Sequence, residues 1–481
     1  MEAHTDYSRK WLVMTAVAAG TLLTTIDGNI VNVALPTLVR ELQTNFAAVQ
    51  WVVLSYLLAL ATLMLSLGRL GDMIGKKPIY VAGFIIFTTG SVLCALAPDI
   101  YWLIVFRIVQ AIGGAMLLSL SMAIVTQAFP PQERGRALGL NGTFVSVGIV
   151  AGPTLGGLLL SITTWHWIFL VNLPVGIVGT ILAIRYIPVP QSRENQQFDY
   201  FGAGTLFVGL LSLLLALTIG QQRGFGDTAV LILFAIFVLF LALFIIIENR
   251  TPQPMIDLRM FANKLFSINL ITGFATFVAI SGTTLLMPFY LENILGFSTS
   301  HIGLLMAVVP LFLGVVAPLS GSLSDRFGTR PITVAGLFML ILGYWAMSTL
   351  NQQTTGLGFV LRMLPVGVGM GMFQSPNNSA VMGSVTRQRL GIASGLLAIS
   401  RTLGQTAGVA LMGALWAGRT MIYEGTVLAG GATAATAVAQ ISGLHDTFRF
   451  MVLLMLAALV LAVWALVKEK ELHPIGQSSQ T

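Results

Sequence analysis

The sequence is poor in charge, poorer still in acids, and almost without cysteine. Charged residues make up 9% of its 481 positions while 56% are hydrophobic. An ordinary soluble domain carries roughly a quarter charged residues, so a soluble globular class is excluded. Cys94 is the one cysteine, which rules out an intrachain disulfide and any multi-cysteine metal site. His4, His301, His445 and His473 stand apart from one another, with no metal-ligand spacing. A phosphate loop of the form G-x-x-x-x-G-K-[ST] is missing, which excludes ATP hydrolysis by that route. Neither a catalytic cluster nor a sizeable soluble segment interrupts the chain, so no enzyme, metal or cofactor is expected.

Present instead are apolar runs recurring from Trp11 to Val467, many near the ~20 residues that cross a bilayer core. Hydropathy divides them into fourteen candidate helices, and an all-α integral membrane protein is expected. The first run is too long for a signal-peptide core and no small-residue cleavage site follows, so it reads as a retained helix. With the N-terminus inside, the bases sort by side. Lys76, Lys77, Arg134, Arg136, Arg326, Arg330 and Lys468 are among those on the cytoplasmic side; the outside takes only Arg40, Arg223, Arg419 and Arg449. Both termini are then cytoplasmic, and the net charge of +7 needs no nucleic acid to explain it.

An internal repeat sets the architecture. Gly68-Arg-Leu-Gly-Asp72-Met-Ile-Gly75-Lys-Lys77-Pro78 returns as Gly321-Ser-Leu-Ser-Asp325-Arg-Phe-Gly328-Thr-Arg330-Pro331, 253 residues later (321 minus 68). An intramembrane arginine follows each copy, Arg107 in one half and Arg362 in the other. Such ordered matches indicate parallel structural repeats. Six helices need only about 200 residues, so the surplus accommodates two more. The expected plan is an N-terminal six-helix bundle (1–187), a linker with two extra spans (188–264) and a C-terminal six-helix bundle (265–481).

Charge inside a membrane is costly and marks function. Asp27 is the only acid well within a predicted span, with Thr24 about one turn earlier on its face. A carboxylate there can bind a proton or a cationic substrate, so the two compete. Arg107 and Arg401 are embedded bases, and Glu292 stands at the outer end of its helix. Gln110, Asn141, Gln374, Asn377, Asn378 and Gln405 are polar groups in apolar helices and candidates for a cavity lining. Gly148, Gly152 and Gly156 repeat every fourth residue, spacing that brings helix backbones close. Trp165, His166 and Trp167 read as an outer aromatic belt.

Several stretches resemble motifs of the major facilitator superfamily, within it the 14-helix drug:proton antiporter family. Gly68–Pro78 is similar to the family's loop between helices 2 and 3. Arg107-Ile-Val-Gln110-Ala-Ile-Gly113 is similar to its helix-4 motif, with Ala111 where glycine is usual. Gly148-Ile-Val-Ala-Gly152-Pro153-Thr-Leu-Gly156-Gly157 resembles the helix-5 antiporter motif, and Ile26–Pro36 the helix-1 motif of the 14-helix members. The resemblance implies export of drugs or other amphiphilic molecules across a bacterial inner membrane in exchange for protons, by alternating access. It implies proton transfer linked to Arg107, and gating by the loop residues Gly68, Asp72, Gly75, Lys77, Asp325 and Arg330. Asp72 and Asp325 are expected to bridge the bundles on the inner side. Expected partners are a small amphiphilic substrate, protons and the bilayer, with a periplasmic adaptor a candidate in two-membrane cells. A lipid, siderophore or secreted metabolite is the alternative cargo.

Overall fold

The structure is a computed structural model that describes residues 9–130, 133–188, 199–224, 226–251, 258–385, 390–426, 428 and 430–472. The described residues form helices and no strand. The first half contains α1 (Lys10–Glu41), α2 (Phe46–Ile74), α3 (Lys76–Ala95), α4 (Ile100–Ala128) and α5 (Arg134–Ile162), then the short α6 (Trp167–Leu170) leading into α7 (Asn172–Tyr186). Two inserted helices follow, α8 (Tyr200–Arg223) and α9 (Thr228–Arg250). The second half contains α10 (Lys264–Phe289), α11 (Thr299–Met306) continuing as α12 (Val308–Phe327), α13 (Thr329–Met347), α14 (Gly356–Gly383), α15 (Leu390–Glu424) and α16 (Ala437–Leu472).

Counting α6–α7 and α11–α12 as one rod each leaves fourteen rods. Thirteen are long and apolar enough to cross a membrane. The remaining one, α15, is the more polar rod and packs against α10, α16 and α2. Two six-helix bundles result, plus the α8–α9 pair. An even number of crossings brings the two chain ends to one face, called here the termini end.

The acids that hydropathy left in loops have local work to do. Asp99, Asp199 and Asp227 cap α4, α8 and α9 by accepting backbone N–H bonds from the first turn. Their charges stand at positive helix ends.

Glycine sets the closest approaches. The Gly148–Gly152–Gly156 row lies against α1: added Cβ atoms would meet Thr25, Asn29 and Ile30. Gly157 instead faces the other bundle, where its Cβ would stand 2.5 Å from the Thr299 carbonyl oxygen and 2.9 Å from Gly303 Cα. Pro153 lies inside α5 on the same turn, and its carbonyl approaches Gly303.

The described side-chain contacts between bundles gather at the far end from the termini. Phe46 packs edge-on against Phe289 and Trp416. The Gln50 amide donates to the Val409 carbonyl, and Arg40 pairs with Glu292. The inserted α8 packs on α2 and α15, one helix from each bundle. Outside it, α9 presents Leu231, Ile232, Val238, Leu239 and Ile246 outward.

Three expectations need correction. The repeated motif is not a loop: α2 runs through Gly68 and Asp72 to Ile74, and α12 through Gly321 and Asp325 to Phe327. Only Gly75 (φ 102°) and Gly328 (φ 87°) break the helices, a backbone region open chiefly to glycine. Hydropathy ends where side chains become polar, but a helix continues beyond the membrane while its backbone bonds are satisfied. For the same reason α16 begins at Ala437, ahead of the apolar run from 448 to 467 that hydropathy marks as the last span. Finally, Trp165 is buried and stacked on His166 at 3.9 Å, so only Trp167 fits an outer belt.

Candidate functional site

Asp27 lies 17 residues into α1, roughly 25 Å along it at ~1.5 Å per residue. It is fully buried, and Arg107 from α4 is 1% exposed. The Arg107 Nη1 donates to Asp27 Oδ2 at 2.6 Å and to Gln110 Oε1 at 2.6 Å. The Gln110 Nε2 donates to Asp27 Oδ1 at 2.8 Å and to Ser91 Oγ at 2.6 Å. Asn172, the first residue of α7, donates from Nδ2 to the same Asp27 oxygen at 2.8 Å and to Ser91 at 3.2 Å. Side chains of α4 and α7 thus bond the α1 carboxylate directly, and Ser91 of α3 supports them.

The arginine is held from its other sides too. Its Nε donates to the Val52 carbonyl at 3.2 Å, and its guanidinium lies 4.1 Å from the centre of the Tyr56 ring. Phe169 is a second ring at 5.8 Å. A buried ion pair survives desolvation only when its remaining donors and acceptors are satisfied, and these contacts meet that condition. The whole arrangement belongs to the first bundle, so Asp27 and Arg107 move together when the bundles move.

Ser91, Asn172 and Tyr56 were not among the residues singled out from sequence. Asn172 had a signal: it is an amide inside a predicted apolar span, of the same kind as Gln110. Ser91 and Tyr56 are ordinary in membrane helices and carried none.

The remaining candidates are scattered. Thr24 bonds back to carbonyls of its own helix. Asn141 accepts from Thr21 at 3.0 Å, joining α5 to α1. Asn377 donates to the Asn269 carbonyl, and Arg330 to the Asn269 side chain at 2.6 Å, so Arg330 ties α13 to α10 within one bundle. Lys77 is the second residue of α3 and is half-buried. The side chains of Asp72 and Asp325 lie outside the described residues. Gln374, Asn378 and Gln405 are half-buried, as is Arg401, whose guanidinium stands over the Phe277 ring at 5.3 Å.

Glu292 is far from Asp27. It sits in a π-helical turn that follows α10 and pairs with Arg40 at the end of α1, a link between bundles at the far end. Both residues border a recess of about 530 Å³, together with Trp165, His166 and Phe297. Arg40 is 56% exposed, so the pair contributes at most about 1 kcal/mol. Glu292→Arg should therefore loosen the far end only modestly. A cysteine substituted for buried Val409, beneath this contact, should react with maleimide up to about fivefold faster in that background. An unchanged rate would mean that the apolar contacts alone hold the bundles there.

A family model described as Major Facilitator Superfamily matches residues 17–409. The chain is 34% identical to the riboflavin transporter RibZ of Clostridioides difficile, over 85% of this chain and 89% of that protein. It is 30% identical to the multidrug transporter protein MdtP of Bacillus subtilis, over 86% of this chain and 76% of that protein. Identity to the multidrug resistance protein Stp of Mycobacterium tuberculosis is 33%, over 84% and 76% respectively. Among solved structures, a bacterial homolog of the human lysosomal transporter Spinster, inward-facing and unoccupied, aligns with a TM-score of 0.67. Its identity is 19%, over 95% of this chain and 97% of that one. A D-xylose-proton symporter aligns with a TM-score of 0.65 at 16% identity, over 94% and 97%. Two helical bundles joined by an inserted pair, and a family match spanning most of the sequence, lead to one conclusion: the chain belongs to the Major Facilitator Superfamily of membrane transporters.

Proposed function

We propose that this protein exports drugs or other amphiphilic small molecules across the bacterial inner membrane in exchange for protons. The observation that carries the reading is the Asp27–Arg107 pair, a carboxylate fully enclosed in the membrane zone and bonded by groups from two other helices. A proton on Asp27 would cancel its attraction for Arg107 and free the guanidinium for other partners. That change of bonding couples protonation to a rearrangement of α1 against α4. The distribution of bases supports a cytoplasmic termini end. The far-end contacts then describe a transporter closed outside, and their breaking is the step that releases cargo.

Relatives named as multidrug transporters support the cargo class. A second reading, export of a single metabolite, is favoured by the relative named as a riboflavin transporter.

Proteoliposomes test the coupling. Adding substrate to wild-type vesicles should move protons in the opposite direction, and Asp27→Asn should bind substrate but move none. Transport by the wild type without proton movement would overturn antiport.

A further inference from the structure

Charge within the membrane zone is unevenly matched. Asp27 is fully buried and neutralised by Arg107, so it offers nothing to a cationic substrate in this conformation. Arg401 is the opposite case. It lies 11 residues into α15, or about 16 Å from its start, and no carboxylate among the described residues pairs with it. Its guanidinium stands over the half-buried Phe277 ring of α10.

The direction in which Arg401 faces follows from its helix. Residues 401, 405 and 409 fall on one i, i+4 ridge. At Val409 that helix meets Gln50 of the other bundle. Arg401 and Gln405 are half-buried on the same ridge, toward the termini end, below the place where the bundles touch. An unpaired guanidinium at this depth costs at least a few kcal/mol unless it faces water or a ligand. Arg401 is half-buried, so part of its side chain stays open to one or the other.

Building on the export reading, we infer that Arg401 is an anion-binding residue, and that the preferred cargo is an aromatic organic acid rather than an organic cation. Its carboxylate, phenolate or phosphate takes the guanidinium, whose fork suits planar and tetrahedral oxyanions. The aromatic body lies against Phe277, and Gln405 one turn on offers an amide to its polar edge. A cation in the same space meets repulsion from Arg401 and, among the described residues, no carboxylate beside it.

A fluorescent trio with one ring system tests this: dansylglycine (anionic), dansylamide (neutral) and a dansyl alkylammonium (cationic). Binding to the purified full chain in detergent is read from the rise in dansyl emission. Dansylglycine should bind at least about tenfold more tightly than dansylamide, about 1.4 kcal/mol, with the cation weakest. Arg401→Gln should abolish the preference for the acid while dansylamide binding stays within about twofold. Arg401→Lys should keep part of that preference. The inference is overturned by equal binding of the three, by no binding of the acid, or by an acid preference that survives Arg401→Gln. Equilibrium binding needs no gradient, so a failure of proton coupling would leave this result readable. Equally, a negative result here would leave antiport standing.

Discussion

Arg107→Leu should destabilise the protein by about 3–5 kcal/mol, the cost of leaving a buried charge without its partner. The stranded group is Asp27, fully buried and still bonded by Gln110 and Asn172 but deprived of its counter-charge. Thermal unfolding in detergent, followed by loss of the monodisperse peak, is a direct readout. The informative control is the double variant Asp27→Asn/Arg107→Leu. Removing both charges removes the desolvation cost with them, so most of the lost stability should return. Proton-coupled transport should not return. A double variant as unstable as Arg107→Leu would show that the arginine acts through its packing on Tyr56 rather than through charge. A double variant that still exchanged substrate for protons would remove Asp27 from the coupling path.

The second large effect is expected at the glycine pair between bundles. A Cβ on Gly303 would lie 2.5 Å from the Pro153 carbonyl oxygen and 3.0 Å from Gly157 Cα, backbone atoms that cannot turn aside. Gly303→Leu should therefore push α11 from α5 and weaken far-end closure by about 1–3 kcal/mol, the usual range for overpacking. That corresponds to a shift of roughly 5- to 150-fold between the two states. Spin labels at exposed Thr163 and His301 would report it as a longer-distance population in pulsed EPR. The native thiol is buried and interferes little. Unchanged distances together with wild-type transport would mean that this contact is not part of the gate.

Much of the architecture was readable because the solvent dictates it. A bilayer leaves few alternatives to apolar spans, so their number, order and repeat were visible. Asp27, Arg107 and Gln110 stood out because charges and amides are scarce in such spans. What stayed hidden is informative. Asn172 donates to Asp27 and Ser91 accepts from Asn172 and Gln110, yet even the amide in an apolar span did not announce which helix its partner is on. Arg40 and Glu292 were each assigned to the outer side, but their pairing depends on how two separate bundles lean together. Helix ends were misjudged wherever polar residues continue a helix past the membrane, as at Gly68–Asp72 and His445–Thr447. Hydropathy reports the surrounding medium, whereas helix length is set by backbone bonding.

The inserted pair also gives the molecule a handedness toward the bilayer. Along one flank α8 bridges α2 and α15, backed by the oily face of α9. Along the opposite flank α5 meets α11 and α12 directly. Membrane lipid therefore meets the seam between the bundles through an extra helical layer on one flank and directly on the other.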